Sequence, residues 1–296
     1  MNPQSLRGVA LVLAAAVLWG TTGTAQSFAP PQLSSYWVGA LRLVASSLFF
    51  LAWLVLSERG ALARSALASL PWRGVMAAAV CMSVYNLAFF AGVRASGVAV
   101  GTAIAIGSGP VWAGILQALV NRRPPSLPWW LGTVLAVGGG ALMIAGGGAL
   151  QALTPLGVVL CLIAGLSYAV YALVNKTMVA DASAAAVTGA VFTLAALLSL
   201  PVALALAGLP MVRAADLAIV AWLGVMSTGV AYLLFSHALR HISGATAVAL
   251  ALAEPVTAFV LALVVVGERP GAGAFLGLLC VLAGLAVVIR AELKAA

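Results

Sequence analysis

Long apolar runs broken by short polar punctuation set the rhythm of this chain. Ten such runs stand out, over residues 8–28, 34–56, 72–92, 96–120, 128–147, 155–175, 184–207, 214–238, 243–266 and 271–290. Runs of roughly 20–25 residues, rising 1.5 Å per residue as helix, are long enough to cross a hydrocarbon core of about 30 Å. Gly, Pro or charge marks the junctions, as in "APPQ", "SERG", "NRRPP", "GLP" and "GERPG". The pattern predicts an all-α integral membrane protein with ten transmembrane helices. One run, "ALALAEPVTAFVLALVVV", carries a Glu and a Pro, Glu254 and Pro255, in its middle.

Composition agrees. Of 296 residues, 64% are hydrophobic and 7% charged, with a mean hydropathy of +1.18. A water-soluble domain of this size needs far more charge to cover its surface. The net charge of +8 does not point to nucleic acid, because the basic residues are spread over short loops rather than gathered on one face. They act instead as an orientation signal. With the N-terminus in the cytoplasm, ten of the fourteen Lys and Arg fall inside: Arg7, Arg59, Arg64, Arg73, Arg122, Arg123, Lys176, Arg240, Arg290 and Lys294. Arg94, Arg213 and Arg269 fall outside, and Arg42 lies within a span. The asymmetry places both termini in the cytoplasm of a bacterial-type inner (plasma) membrane protein. Cys81, Cys161 and Cys280 sit singly inside apolar runs, so neither a metal site, a disulfide set nor a cofactor is expected. Arg7 followed by "GVALVLAAAVLWG" resembles a signal peptide, but the internal repeat described next argues for a retained helix.

The two halves of the chain align. "YNLAFFAGVRASG" at 85–97 matches "YLLFSHALRHISG" at 232–244, and "GPVWAGIL" at 109–116 matches "EPVTAFVL" at 254–261. "RRPP" matches "GERP", and "AVGGGALMI" matches "VLAGLAVVI". The offset drifts only from 147 to 145, and the first span matches the sixth at 149. Residues 1–150 and 151–296 therefore form two five-helix repeats. Five is odd, so the second repeat enters the membrane from the opposite side. Such inverted repeats are the architecture of many secondary transporters, in which two similar halves exchange conformations.

The paired segments "GPVWAGILQAL…RRPPSLPWWLGTVLAVGG" and "EPVTAFVLALVVVGERPGAGAFLGLLCVLAG" resemble the duplicated signature of the drug/metabolite transporter superfamily, and more narrowly its ten-helix EamA-type exporters. Leu41-Arg42 early in the second span and Trp19-Gly20 in the first also fit. The resemblance covers the whole chain, and a further similarity is to aromatic amino-acid exporters of the YddG type. It implies export from the cytoplasm. One departure stands out: Glu268 precedes Arg-Pro in the second half, where the first half has Arg123.

Polar residues inside a bilayer are expensive, so their placement is informative. Trp19, Thr22 and Gln26 share one helix face, and their repeat partners are Tyr168, Tyr171 and Asn175. Cys81, Tyr85 and Phe89 share another, with partners Thr228, Tyr232 and Ser236. These stripes predict a central cavity lined by spans 1, 3, 4, 6, 8 and 9. Its candidate substrate contacts are Trp19, Thr22, Tyr85, Trp112, Tyr168, Tyr171, Tyr232, Ser236 and Glu254. The competing reading of the stripes is helix packing with interhelical hydrogen bonds. Arg42 is a charge anchor near the outer end of its span, or the partner of a substrate carboxylate or of Glu254. Pro110 and Pro255 occupy equivalent places and lack the N–H that would bond Ile106 and Ala251. With Gly107 and Gly109 they are candidate bends and hinges for alternating access.

These residues favour a secondary transporter of small organic solutes, amino acids among them, with cationic drugs or other metabolites as the alternative cargo. The expected partners are that solute and the lipid bilayer, with self-association through small residues such as Gly273 and Gly277 left open. A hydrolytic set of Ser236, His237 and Glu254 has poor geometry, since adjacent helical residues point about 100° apart. The i, i+4 pair His237 and His241 has no further metal ligands nearby. Charge rings and filter loops expected of a channel are absent from the sequence.

Overall fold

The computed structural model describes residues 3–27, 33–57, 66–122, 124–145, 154–267 and 270–295. Glu268, Arg269, Arg123, Arg59, Arg64 and the side chain of Gln26 lie outside the described residues. Among those described there are helices and turns and no strand. The helices are α1 (Pro3–Ser27), α2 (Ser35–Ser57), α3 (Trp72–Ser96), α4 (Val98–Asn121), α5 (Leu127–Ala145), α6 (Pro155–Asp181) and α7 (Ala184–Ala207). Next, α8 is composite, with a π-helical stretch (Trp222–Val230) between α-helical segments Ala214–Ala221 and Ala231–Ala238. Likewise α9 joins Gly244–Leu250 to Glu254–Leu261 through a 3₁₀ turn, Ala251–Ala253, and ends in the π turn Ala262–Val266. The last helix is α10 (Ala272–Ala295).

Nine of these, counted among the described residues, are long and apolar enough to cross a membrane. The fifth is apolar but shorter, Leu127–Met143. Apolar side chains left bare on the outer faces, such as Leu48, Leu56, Val134, Leu197 and Leu279, form the surface a bilayer covers.

Local sequence explains the helix starts. Thr154 caps α6, its hydroxyl accepting from Gly157 N (3.1 Å), with Pro155 in the first turn where a missing N–H costs nothing. The same hydroxyl donates to the Ala95 carbonyl (3.0 Å), pinning α6 to the end of α3. Ser243 caps α9 in the same way through Thr246 N. Glu292, near the end of α10, accepts from Ser243 N (2.8 Å) and from Thr246 Oγ1 (2.5 Å). Trp129, at the start of α5, donates to Thr246 Oγ1 (3.1 Å). Gly8 of α1 packs on Ile242 and His241. Both ends of the described chain therefore meet at the α8–α9 turn, on one end of the bundle. Arg7, Arg122, Lys176, Arg240 and Arg290 share that end, and Arg94 and Arg213 take the other.

Small residues set the close approaches. Gly139 of α5 faces Gly277 of α10 and Gly132 faces Gly284, so the two helices run antiparallel with their backbones nearly touching. Gly277 is thus used inside the subunit. The offset of 145 that relates Pro110 to Pro255 also relates Gly132 to Gly277 and Gly139 to Gly284. A second contact recurs: Gly8 sits on Ile242, and Gly157, its counterpart 149 residues on, sits on Ala95, which is 147 residues before Ile242.

The two prolines behave differently. α4 continues as one α-helix across Gly107, Gly109 and Pro110. The irregularity is at α9, where the 3₁₀ turn delivers Pro255 to the first turn of the following segment. There the Glu254 N–H donates to the Ala251 carbonyl that Pro255 has no proton to reach. The candidate bends at Pro110 and Pro255 thus differ in backbone bonding, α-helical around the first and 3₁₀ just before the second.

Candidate functional site

A cavity lies at the meeting of α1, α2, α3, α4, α6, α8 and α9. Trp19, Thr22, Arg42, Tyr85, Phe89, Tyr168, Tyr232 and Glu254 line it, with small apolar patches from Ala105, Ile106, Val248 and Ala251. Gly20 lets α1 approach α9 closely enough that a side chain there would strike Thr257 and the Glu254 carbonyl. The π-helical stretch of α8 has its own internal bond, Thr228 Oγ1 to the Leu223 carbonyl (2.6 Å). It turns Ser227 toward α1, where its hydroxyl meets that of Thr22 at 2.6 Å.

The walls are aromatic. Trp19 stands edge-on to Tyr232 with centroids 5.1 Å apart and to Tyr168 at 6.4 Å, and Tyr85 is 5.5 Å from Tyr168. Arg42 extends over the ring of Phe90, 5.8 Å from its centroid. The Arg42 Nε, the Trp19 Nε1 and the Tyr168 hydroxyl are buried without a hydrogen-bond partner. Buried donors usually find an acceptor, and a polar ligand in the cavity would supply one for these three. The empty space is small, about 60 Å³. Drug-sized ligands occupy about 300–1,000 Å³, so a solute larger than a few waters requires the rings to part.

The structure brings together six of the nine predicted contacts, Trp19, Thr22, Tyr85, Tyr168, Tyr232 and Glu254, and adds Arg42. Tyr171 and Ser236 are placed one turn further toward the end of the bundle that holds the termini, fully buried behind the cavity wall. There Asn175 Nδ2 donates to the Tyr171 hydroxyl (3.2 Å) and to Ser236 Oγ (2.9 Å). Thr188 Oγ1 lies 2.7 Å from Ser236 Oγ and donates to the Ala184 carbonyl (2.6 Å). Phe192 packs on Tyr232 at 4.7 Å, closing the cavity on that side. Trp112 faces a separate groove beside α5, with Val137 and Ala141. The stripe argument assigns the right helix faces but not the depth at which the cavity ends. Sequence reasoning left out Ile106 and Thr188. Ile106 carries no polar signal, and Thr188 is a lone hydroxyl in an apolar run.

Among the described residues no group of three His, Cys, Asp or Glu gathers to hold a metal. His237 Nδ1 is 2.8 Å from the Leu233 carbonyl, in its own helix.

Comparison with known proteins decides the family. The EamA-like transporter family matches twice, over residues 6–145 and 155–290. The chain belongs to the EamA-like transporter family. A transporter-named relative, the uncharacterized transporter YwfM of Bacillus subtilis (strain 168), is 35% identical over 285 residues, covering 96% of this chain and 94% of its own. A solved crystal structure described only as that of a protein superposes with a TM-score of 0.84 at 17% identity, over 97% of this chain and 98% of the other. At that identity the likeness speaks for the fold alone. The protein is thus a multi-pass membrane transporter of the two-repeat EamA type, a class that carries small-molecule substrates.

Proposed function

We propose that this transporter moves small zwitterionic solutes, amino acids with aromatic ones among them, out of the cytoplasm by alternating access. The observation that carries the reading is that Arg42 and Glu254 line the same cavity, among five aromatic rings. A guanidinium suits a carboxylate, a carboxylate suits an ammonium, and the rings suit an apolar side chain. The three unpartnered donors around the cavity would find acceptors on such a ligand. Aromatic amino acids are named among the cargoes because the sequence resembles YddG-type exporters.

The mechanism follows from two inverted five-helix repeats, 1–150 and 151–296, with both termini cytoplasmic in a bacterial inner membrane. The antiparallel packing of α5 on α10 and the recurrence of the Gly8 contact at Gly157 support that arrangement. The collection of Lys and Arg at the end holding the termini supports the orientation. The cavity is then closed toward the cytoplasm by Tyr171, Phe192, Tyr232 and the Asn175–Ser236–Thr188 bonds.

Counterflow in proteoliposomes tests the reading, using a labelled panel of amino acids beside an aromatic cation. Saturable amino-acid exchange that Arg42→Gln abolishes is expected. No exchange across the whole amino-acid panel would sink it. A second cargo, aromatic cations, is favoured by Glu254 among the rings. In that case Arg42→Gln would spare transport and Glu254→Gln would not.

A further inference from the structure

Away from the central cavity, a groove of about 580 Å³ opens between the lower parts of α4 and α6, at the end of the bundle that holds the termini. Its walls are mainly apolar, with Leu116 and Val120 from α4 and Leu173 and Val174 from α6, and Gln117 and Thr177 beside them. Two cations, Lys176 and Arg240, sit together along it. The upper parts of these helices are in contact through Gly165 and Ser108, so the two diverge below that point and leave the wedge. The groove is open to the surroundings, with Val120 73% exposed.

The two cations are held in place by backbone carbonyls. Lys176 Nζ donates to the carbonyls of Leu239 (2.8 Å) and Ile242 (2.7 Å). Arg240 Nε donates to Val179 O (2.7 Å) and an Nη to Ala182 O (3.1 Å). All four acceptors are neutral carbonyls that fix the side chains in direction, and the Glu292 carboxylate, whose charge also reaches Lys176, is itself bonded to Ser243 and Thr246. A guanidinium has five N–H donors and an ammonium three, so each keeps donors for an anion. An apolar trough ending in two fixed cations matches an amphiphile with an anionic head and a hydrocarbon tail. In a bilayer, that is an anionic phospholipid. Basic pockets between transmembrane helices near a membrane surface favour such head groups.

We propose that this groove is a binding site for an anionic phospholipid, its phosphate held by Lys176 and Arg240 and one acyl chain laid against Leu116, Val120, Leu173 and Val174. The site is separate from the central cavity and does not depend on the cargo. Bound there, the lipid would span α4 and α6 and stabilise their separation.

The full-length protein in nanodiscs of dioleoyl phosphatidylglycerol and dioleoyl phosphatidylcholine, mixed equally, tests this by native mass spectrometry of the lipid that stays bound on release. The two lipids share their tails, so the comparison isolates head-group charge. The expected result is one retained lipid, with phosphatidylglycerol preferred on the order of tenfold or more. Arg240→Gln should lower that preference about fivefold, and Arg240→Lys should largely keep it. Val120→Trp, at an exposed position, should fill the trough and remove the retained lipid. Equal retention of the two lipids by the unmodified protein would overturn the proposal. So would a preference that neither Arg240→Gln nor Val120→Trp alters.

Discussion

Gly139 of α5 and Gly277 of α10 are packed backbone to backbone: a Cβ on Gly139 would stand 2.7 Å from the Gly277 carbonyl oxygen. No relaxation of a flexible side chain relieves that contact, because both sides are main chain. Gly139→Ala should therefore force the two helices apart and destabilise the fold by about 1–3 kcal/mol. Gly138→Ala is the internal control, since a Cβ there meets nothing within 4 Å. Thermal unfolding in detergent should show a clear drop for the first and little change for the second. Equal midpoints would mean that the seam is looser than drawn.

Pro255 offers a second test. It leaves the Ala251 carbonyl without its i+4 donor, and the Glu254 N–H donates to that carbonyl in the 3₁₀ turn. Pro255→Ala supplies an N–H that competes for the same carbonyl in the ordinary i to i+4 pattern. The segment should relax toward continuous α-helix, which turns fewer degrees per residue than a 3₁₀ helix and re-aims Glu254 relative to the cavity. The expected outcome is a thermal midpoint equal to or above that of the parent, with counterflow reduced. Full counterflow would show that the turn has no part in positioning Glu254.

The helices were legible in the sequence because apolar runs of membrane length leave little alternative, and the structure keeps all ten as helices, the fifth shorter than the rest. The cavity was legible in part. Trp19 and Tyr168, and Tyr85 and Tyr232, are repeat partners, and all four reach the same space. Tyr171 and Ser236 lie on the same stripes yet are sealed behind it, because periodicity gives the face of a helix and not how far along it the neighbours draw apart. The difference between Pro110 and Pro255 was illegible for a similar reason. Whether a helix absorbs a proline or shifts to 3₁₀ bonding depends on what packs around the free carbonyl. The cationic groove escaped notice because Lys176 and Arg240 are 64 residues apart in the chain and meet only through the carbonyls they bind.

His241, at the α8–α9 turn, gives a pH dependence. Burial, then the charges of Arg7, Arg240, His237 and Lys176, hold its imidazole below the usual value of 6.5. The folded protein therefore binds this proton less readily than the unfolded chain does. Stability is unaffected above pH 6.5 and falls as the pH drops below it, levelling off once the folded-state imidazole also titrates. The side chain is partly open to solvent, so the effect is modest. His241→Gln keeps the Cβ that packs on Gly8 and removes the titration. Its thermal midpoint should decline less than that of the parent between about pH 7.5 and 5.5. Parallel declines would show that another group carries the acid sensitivity.

Glu254 is the one carboxyl among the residues lining the cavity, and its repeat counterpart, Gly109, has no side chain at all. A pathway that carries protons needs a group able to take one up on one side and release it on the other, and here Glu254 alone has that chemistry. If a proton gradient drives transport, Glu254→Gln should abolish the response to an imposed pH difference. Substrate-for-substrate counterflow needs no net proton movement and should persist at lowered affinity, because the amide keeps the shape and one hydrogen-bond acceptor but not the charge that meets the ammonium. The pair of assays separates coupling from binding. Loss of both would make Glu254 a substrate contact, as the zwitterion reading requires if the ammonium must meet a charge. Gradient response retained in the variant would remove Glu254 from coupling and leave Arg42 and the aromatic rings to define the site.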